Sequence, residues 1–176
     1  MRLFFAAFPD GETRRLIAST AAALELGDDA RRVPCENYHL TLAFVGEVSN
    51  AQAASLRTIG PAQVPVFAVR FDTYEHWPKS EVVVIAANEC PPALLDLQCT
   101  LRGALAHQDI ASDPRSFRPH VTIARKVVQA PVQQAMSGFL WTVTAFQLVR
   151  SVGSDAGSAY TVLDRWSLLD KPDCGE

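Results

Sequence analysis

The chain has 176 residues, 48% of them hydrophobic and 20% charged, with a formal net charge of −3 and a pI near 5.8. A protein that holds long nucleic acid by bulk electrostatics needs a broad basic surface, so the acidic balance argues against that class. A small anionic group held locally is compatible with this charge. The length and apolar content suffice for one well-buried domain and are short for two, so we predict a single domain over residues 1–176.

The apolar start of the chain is interrupted early, at Pro9-Asp10-Gly11, before it reaches the length of a signal-peptide core. No later apolar run approaches the length of a membrane span. We therefore expect a soluble, cytoplasmic protein without membrane contact, and a monomer as the default.

Reduced thiols are expected at the four cysteines, which lack C-x-x-C spacing: Cys35, Cys90, Cys99 and Cys174. Because no candidate ligands fall at a recognised metal-site spacing, we predict neither a metal nor another cofactor.

Hydrophobic periodicity and turn residues divide the chain into strands and helices. Strands are predicted over residues 2–8, 39–45, 64–74, 81–87, 119–125, 139–152 and 158–169, helices over 11–26, 50–59 and 91–107, and a weak helical turn over 131–136. Displacing the sequence against itself by 81 residues aligns His39 with His120 and preserves the order of these elements. We predict an α+β fold of two interleaved lobes related by a pseudo-two-fold axis. Each lobe has antiparallel strands, outer helices and one histidine-bearing strand beside a central cleft.

Each of these two histidines begins the same tetrapeptide pattern, His39-Leu40-Thr41-Leu42 and His120-Val121-Thr122-Ile123. Residues i and i+2 of a strand share a face, so each copy presents an imidazole and a hydroxyl together and turns its apolar residues the other way. With four histidines and ten threonines in the chain, chance would place threonine two residues after two histidines roughly 2% of the time. The repeat therefore predicts one functional site built from both copies.

Two histidines that face one substrate can divide acid-base catalysis between them. Since the unperturbed pKa of histidine is about 6.5, one imidazole can accept a proton while the other donates one. This suits phosphoryl transfer, in which the attacking and leaving oxygens lie on opposite sides of phosphorus, with the two threonine hydroxyls donating to its free oxygens. Spacing alone leaves open which histidine gives the proton. Basic residues that fit a single phosphate cluster around the second motif: Arg115, Arg118, Arg125 and Lys126.

The sequence resembles the two-histidine (2H) phosphoesterases, and within them the bacterial and archaeal RNA 2′,3′-cyclic phosphodiesterases, first named 2′-5′ RNA ligases. The matching stretches, in the family's order, are residues 2–6, 36–46, 117–125, 160–163 and 166–168, together with Ser151. The resemblance implies a bilobal fold around a cleft. It also implies metal-independent hydrolysis of a terminal 2′,3′-cyclic phosphate on RNA or an oligonucleotide to a 2′-phosphomonoester, with 2′-5′ RNA joining as a side reaction.

The resemblance also assigns roles to individual residues. His39 resembles the family's proton donor to the 3′ leaving oxygen, and His120 resembles the base that activates water. The family's substrate-contacting residues match Thr41 and Thr122 at the phosphate, Arg125, and Phe44 as an aromatic that can stack on a base. The implied partner is an RNA or oligonucleotide 3′ end that carries a cyclic phosphate.

Two alternatives fit the same motifs. One is a cyclic phosphodiesterase for another small substrate, such as ADP-ribose 1″,2″-cyclic phosphate or a 2′-5′ oligonucleotide, which the negative net charge favours slightly. The other is a non-catalytic module that binds RNA ends. Surface, capping or loop positions are predicted for the remaining candidates, His76, His107, Arg14-Arg15 and Arg31-Arg32.

Overall fold

The computed structural model describes residues 1–59, 64–111, 113, 116–132, 136–154 and 157–169. Its strands are β1 (Arg2–Ala7), β2 (Arg31–Arg32), β3 (Leu40–Glu47), β4 (Phe67–Phe71), β5 (Thr73–Trp77), β6 (Val82–Ala86), β7 (His120–Arg125), β8 (Phe139–Val143), β9 (Ala145–Ser154) and β10 (Gly157–Ser167). Its helices are α1 (Gly11–Ala22), α2 (Asn50–Arg57) and α3 (Pro92–Ala106), and a 3₁₀ turn spans Cys35–Asn37. All three predicted helices are therefore present.

Each helix begins at a residue whose chemistry suits that position. Before α1, the carboxylate of Asp10 accepts a hydrogen bond from the backbone N–H of Thr13 at 2.7 Å. Before α2, Ser49 and Gln52 form a reciprocal capping box. Helix α3 starts at Pro91-Pro92, where the missing N–H of proline would have had no intrahelical partner. Local sequence signals therefore define all three starts.

Helix α1 ends earlier than predicted, at Ala22 instead of residue 26. Its last turn is closed by Arg32, whose guanidinium donates to the carbonyls of Ala21 at 2.5 Å and Leu24 at 2.7 Å. A cation at this end is also favoured by the helix dipole. The prediction that Arg31-Arg32 form a polar loop was wrong, because they form β2 and Arg32 caps α1.

The strands form one eight-stranded sheet and a separate two-stranded sheet. In the large sheet the order is β10-β9-β1-β3-β7-β6-β5, with β2 also paired to β7, while β4 pairs with β8. These strands pair in antiparallel register. The half that contains β1 is completed by strands from the C-terminal end of the chain, and it meets the half that contains β6 where β3 pairs with β7. The predicted α+β class with antiparallel sheets is confirmed.

The three helices and the two-stranded sheet pack on one face of the large sheet. There they form the main hydrophobic cluster with residues such as Phe5 of β1 and Ile85 of β6. We call the opposite face the site face. It carries two small apolar clusters, Phe4, Ala6 and Val149 in one half and Val82, Val84 and Ala86 in the other. The predicted placement of the helices on an outer face is confirmed, and it leaves the site face to the motif residues.

Two predicted strands are each divided in the structure. Residues 64–74 cover β4 and the start of β5, which separate at Asp72 and join different sheets. Residues 139–152 divide at Thr144 into β8 and β9. Strand-forming residues flank both breaks closely, so local propensity predicts each pair of strands as one. Helix α2 ends at Arg57, two residues before the predicted end at residue 59. Four other predictions fall wholly or partly outside the described residues: Gly60-Pro61, the turn over 131–136, Arg115 and Cys174.

Candidate active site

The two motifs lie side by side at the centre of the large sheet. Leu40 of β3 and Val121 of β7 are paired in antiparallel register. The charge of His120 also contributes to the lowered pKa of His39, so the two motif histidines lie close enough to interact electrostatically. The fold thus brings both predicted imidazoles and both predicted hydroxyls to one place.

Both histidine rings are oriented by the same hydrogen bond. Nδ1 of His39 donates to the carbonyl of Asn37 at 2.7 Å, and Nδ1 of His120 donates to the carbonyl of Arg118 at 2.7 Å. A carbonyl oxygen only accepts, so Nδ1 carries the hydrogen in each ring and the lone pair of the neutral ring lies on Nε2. Both rings therefore present the same nitrogen for proton transfer.

The surroundings of His39 are aromatic and largely apolar. Its ring centroid lies 5.0 Å from that of Phe4, 5.6 Å from that of Phe8 and 5.2 Å from that of Tyr160. Burial lowers the pKa of His39 to about 4, because a charged imidazolium is poorly solvated there, and nearby positive charge adds to the lowering. His39 is therefore neutral at pH 7 in the free protein.

His120 has a more polar setting, in which the carboxylate of Glu75 binds both Trp77 and Arg118, the two residues that contact the histidine ring. The ring of Trp77 lies edge-on to His120 with centroids 4.5 Å apart. Trp77 Nε1 donates to Oε2 of Glu75 at 2.9 Å, and Arg118 Nε donates to Oε1 of Glu75 at 2.6 Å. Since the carbonyl of Arg118 also binds His120, Glu75 connects the two groups that hold the ring.

Sequence reasoning did not identify Glu75 and Trp77 as site residues. They stand at alternate positions of β5 and pair with Val84 and Val82 of the site face. Their spacing of two residues was the sequence signal that they share one face of a strand. Hydrogen bonds from Arg118 and Trp77 hold the pKa of Glu75 below its ordinary value, so Glu75 is a carboxylate that balances the charge of Arg118. Of the predicted basic cluster, Arg118 is therefore engaged by Glu75.

The two motif threonines differ in exposure but share the site face. Thr41 is 9% exposed and pairs with Ala6, whereas Thr122 is half-buried and pairs with Val84. Directly opposed residues of paired strands lie on the same face, and both partners belong to the site-face clusters. Each hydroxyl therefore lies on the same side of the sheet as the apolar residues that surround the histidines.

A β-bulge follows each motif threonine. In β3 the extra residue is Leu42, since the consecutive residues of β1 pair with Ala43 and Thr41. In β7 the extra residue is Ile123, by the same irregularity against β6. A bulge interrupts the alternation of faces, so the third residue after each threonine returns to the site face.

These third residues are Phe44 and Arg125, and both are exposed. Phe44 pairs with Phe4 and has 49% of its surface accessible, so it is not a core residue. Arg125 pairs with Val82 of the site face. The structure therefore sets both predicted substrate-contacting side chains beside the two motifs.

The other chemically notable residues have ordinary roles. His76 Nε2 is hydrogen-bonded to the carbonyl of Val127 at 2.7 Å, and His107 is the C-cap of α3, as predicted. Cys35, Cys90 and Cys99 are free. Within the described ranges, no group of three or more His, Cys, Asp or Glu side chains could hold a metal ion, and no helix is long and apolar enough to span a membrane.

Residues 9–155 match the model of the 2′-5′ RNA ligase superfamily. The chain belongs to this superfamily. Over 170 residues it is 35% identical to the RNA 2′,3′-cyclic phosphodiesterase of Escherichia coli, covering 95% of this chain and 96% of the relative. It is 30% identical over 179 residues to the protein of the same name from Thermus thermophilus, covering 96% of this chain and 90% of the relative. The resemblance predicted from the motifs is confirmed.

Solved structures show that the fold is also that of the superfamily. E. coli LigT complexed with 3′-AMP matches with a TM-score of 0.87 at 32% identity, covering 95% of this chain and 97% of that one. TT0787 of T. thermophilus matches with a TM-score of 0.81 at 28% identity, covering 96% of this chain and 98% of that one. This member of the 2′-5′ RNA ligase superfamily therefore shares both sequence and architecture with its relatives over nearly the whole chain.

Proposed function

We propose that this superfamily member is an RNA 2′,3′-cyclic phosphodiesterase, which hydrolyses the terminal cyclic phosphate of RNA or an oligonucleotide to a 2′-phosphomonoester. The pairing of the two motifs carries the proposal, because it brings two imidazoles of the same tautomer beside two hydroxyls. The relatives named RNA 2′,3′-cyclic phosphodiesterase in E. coli and T. thermophilus support the reaction class.

The reaction needs one base and one acid. His120 accepts a proton at Nε2 from a water molecule, and the resulting oxygen attacks phosphorus. The bond between phosphorus and the 3′ oxygen breaks while His39 donates its Nε2 proton to that oxygen, and the 2′ ester bond remains. Thr41 and Thr122 donate hydrogen bonds to the non-bridging oxygens, where negative charge grows in the transition state. No metal or cofactor takes part in these steps.

His39 must gain its proton before it can act as the donor. Its pKa of about 4 in the free protein means that the ring is neutral when substrate arrives. An anionic phosphodiester beside the ring favours the imidazolium form and raises the pKa. We propose that His39 takes up its proton as the substrate binds, so that binding and protonation are coupled.

Arg125 and Phe44 would contact the rest of the nucleotide. The guanidinium of Arg125 suits a phosphate oxygen or a base plane, and the exposed ring of Phe44 suits stacking on a base. We propose an RNA or oligonucleotide 3′ end as the partner. A monomeric state and a cytoplasmic location stay predictions from the sequence.

Hydrolysis of nucleoside 2′,3′-cyclic monophosphates in the presence of EDTA tests the proposal. His39→Ala and His120→Ala should each lose about 10²–10⁴-fold in kcat. His107→Ala, which removes an exposed histidine at the end of α3, is the matched control and should keep wild-type activity. Full activity in either motif variant would disprove the mechanism.

Product analysis separates the proposed reaction from its alternatives. ³¹P NMR should show a 2′-phosphomonoester as the product from a cyclic mononucleotide. Faster turnover of ADP-ribose 1″,2″-cyclic phosphate or of a 2′-5′ oligonucleotide in parallel assays would instead favour the small-substrate alternative. Tight binding of a cyclic-phosphate end without product would favour a non-catalytic module.

A further inference from the structure

Two arginines lie directly opposite each other at the end of the second motif strand. Arg31 of β2 pairs with Arg125 of β7 in antiparallel register, and both side chains are exposed. Cross-strand neighbours have Cβ atoms roughly 4.5–5.5 Å apart, and like charges in such pairs are destabilising. An anion bound between the two guanidinium groups would turn this repulsion into a favourable interaction.

Arg31 shares the face of Arg125, which is the site face. Arg125 pairs with Val82 of the site-face cluster in β6. The neighbour of Arg31 in β2, Arg32, turns the other way and donates to the carbonyls of Ala21 and Leu24 at the end of α1, on the core side of the sheet. Since consecutive strand residues point to opposite faces, Arg31 is directed toward the site face.

Neither arginine has a carboxylate partner in the part of the chain that the structure describes. The ion pairs there are Met1–Glu47, Arg57–Asp164, Arg70–Asp72 and Arg118–Glu75. The charge of Arg125 also reaches the proposed catalytic centre, where it adds to the effect of burial in lowering the pKa of His39. The pair therefore forms a local positive patch in a protein whose net charge is −3.

The patch lies beyond the proposed position of the reacting phosphate. Arg125 is three residues past Thr122 along β7. Because a strand advances about 3.3 Å per residue, their Cα atoms are roughly 10 Å apart, and the bulge between them shortens this distance. Arg31 lies one strand farther out, on the side of β7 where β2 pairs. The arginine pair is thus placed to meet a neighbouring group of the same substrate.

We propose that Arg31 and Arg125 together bind a second phosphate of the substrate, the phosphodiester that joins the terminal nucleotide to the preceding one. Guanidinium groups match phosphate oxygens with paired N–H donors, so two of them suit a single phosphodiester. This inference rests on the proposed function. It adds Arg31 as a binding residue and a preference for oligonucleotides over cyclic mononucleotides.

The test compares three substrates: a nucleoside 2′,3′-cyclic monophosphate, a dinucleotide that ends in a 2′,3′-cyclic phosphate, and the same dinucleotide with an uncharged methylphosphonate linkage. Arg31→Gln should reduce the kcat/KM of the natural dinucleotide, relative to that of the mononucleotide, by roughly tenfold, as expected for loss of one charged phosphate contact. Arg31→Gln should not change the kcat/KM of the methylphosphonate dinucleotide relative to that of the mononucleotide. Arg31→Lys keeps the charge but loses the planar fork, so its kcat/KM for the natural dinucleotide should lie between those of Arg31→Gln and the wild type.

Arg15→Gln is the matched control, because it removes an exposed arginine of α1 and leaves the sheet unchanged. It should leave all three kcat/KM values as in the wild type. Thermal unfolding of Arg31→Gln should show a Tm at or above that of the wild type, since a like-charge pair is relieved.

The two proposals fail in different ways. The second-phosphate site alone would be overturned if Arg31→Gln left the kcat/KM of the natural dinucleotide unchanged relative to that of the mononucleotide. An equal loss of kcat/KM on the natural and methylphosphonate dinucleotides would overturn it as well. Failure of the wild type to hydrolyse any of the three substrates would overturn the proposed function itself.

Discussion

Leu40 and Val121 lie opposite each other where β3 and β7 pair, and this pair aligns the two halves of the site. Because the strands are antiparallel, the neighbouring positions on one side are His39 and Thr122, and on the other Thr41 and His120. Each imidazole thus has a hydroxyl two residues away in its own motif, and the other motif lies beside it. A phosphate placed among them would meet both acid-base groups and both hydrogen-bond donors.

The roles of the two histidines can be separated with a substrate that needs no acid. In bis(4-nitrophenyl) phosphate the leaving nitrophenolate departs without a proton, so loss of the donor matters less there. The fold-loss in rate caused by His39→Ala should be at least about tenfold smaller on this ester than on a cyclic mononucleotide. The fold-loss caused by His120→Ala should be about the same on both substrates. Relative rates from initial-velocity assays measure this. The opposite pattern would exchange the two roles.

Burial of His39 should make the protein less stable in acid. The unfolded chain binds a proton at this histidine below about pH 6.5, whereas the folded protein binds it only below about pH 4. Between these values the unfolded state holds more protons, so the free energy of unfolding falls as the pH is lowered, by roughly 2 kcal/mol between pH 7.5 and 5. Urea unfolding of wild type and His39→Asn at both pH values checks this.

His39→Asn keeps an N–H that can bind the carbonyl of Asn37 but removes the titrating ring. The variant should therefore gain stability relative to the wild type as the pH falls. If the stability difference between the two proteins is the same at pH 7.5 and 5, then His39 is not neutralised by burial.

Glu75 should act as a positioning residue for His120. Glu75→Gln preserves the shape of the side chain but weakens its bonds to Arg118 and Trp77, which hold the imidazole. We expect kcat to fall roughly ten- to hundredfold with little change in KM, because the ring loses its orientation while substrate contacts remain. The free energy of unfolding should fall by only about 1 kcal/mol, as for other partly exposed ion pairs.

Asp164→Asn is a suitable control for Glu75→Gln, since it breaks the ion pair between Asp164 of the edge strand β10 and Arg57 of α2. It should show a similar change in stability and no change in kcat. Equal kcat values for Glu75→Gln and the control would show that Glu75 has only a structural role.

Phe44 should contribute to substrate affinity and little to stability. Its ring is 49% exposed on the site face, so Phe44→Ala removes a stacking surface worth about 1–3 kcal/mol per base. This corresponds to a rise in KM or Kd of roughly five- to hundredfold for a cyclic nucleotide. Leu140→Ala, an exposed apolar residue of β8 with 60% of its surface accessible, is the control and should bind normally. Unchanged affinity in Phe44→Ala would show that the ring does not touch the base.

The motif residues were predictable because their information is local. The pattern of alternating polar and apolar residues in His39-Leu40-Thr41-Leu42 and in its repeat gives the strand, its faces and the imidazole-hydroxyl pairing within four residues. The helix starts were predictable for the same reason, since capping at Asp10 and Ser49 involves neighbours three residues away.

The positions of Phe44 and Arg125 depend on non-local pairing. Strict alternation from the motif histidines would turn both side chains toward the core, and the bulges at Leu42 and Ile123 reverse this. A bulge exists only in relation to the partner strand, and β1 and β6 lie far from the motifs in sequence. The division of residues 64–74 into strands of two different sheets has the same origin, because it depends on which strands are available as partners.

The sequence by itself determined the α+β class and the four motif residues that form the proposed catalytic centre, through local patterns repeated at a fixed offset. It also indicated the superfamily, through the resemblance of the stretches that surround the motifs. Tertiary structure alone decided that Leu40 meets Val121, that Glu75 holds the neighbours of His120, and that Arg31 lies beside Arg125. The physical reason is that strand register and salt-bridge partners are set by packing between distant segments, and no local propensity encodes that choice.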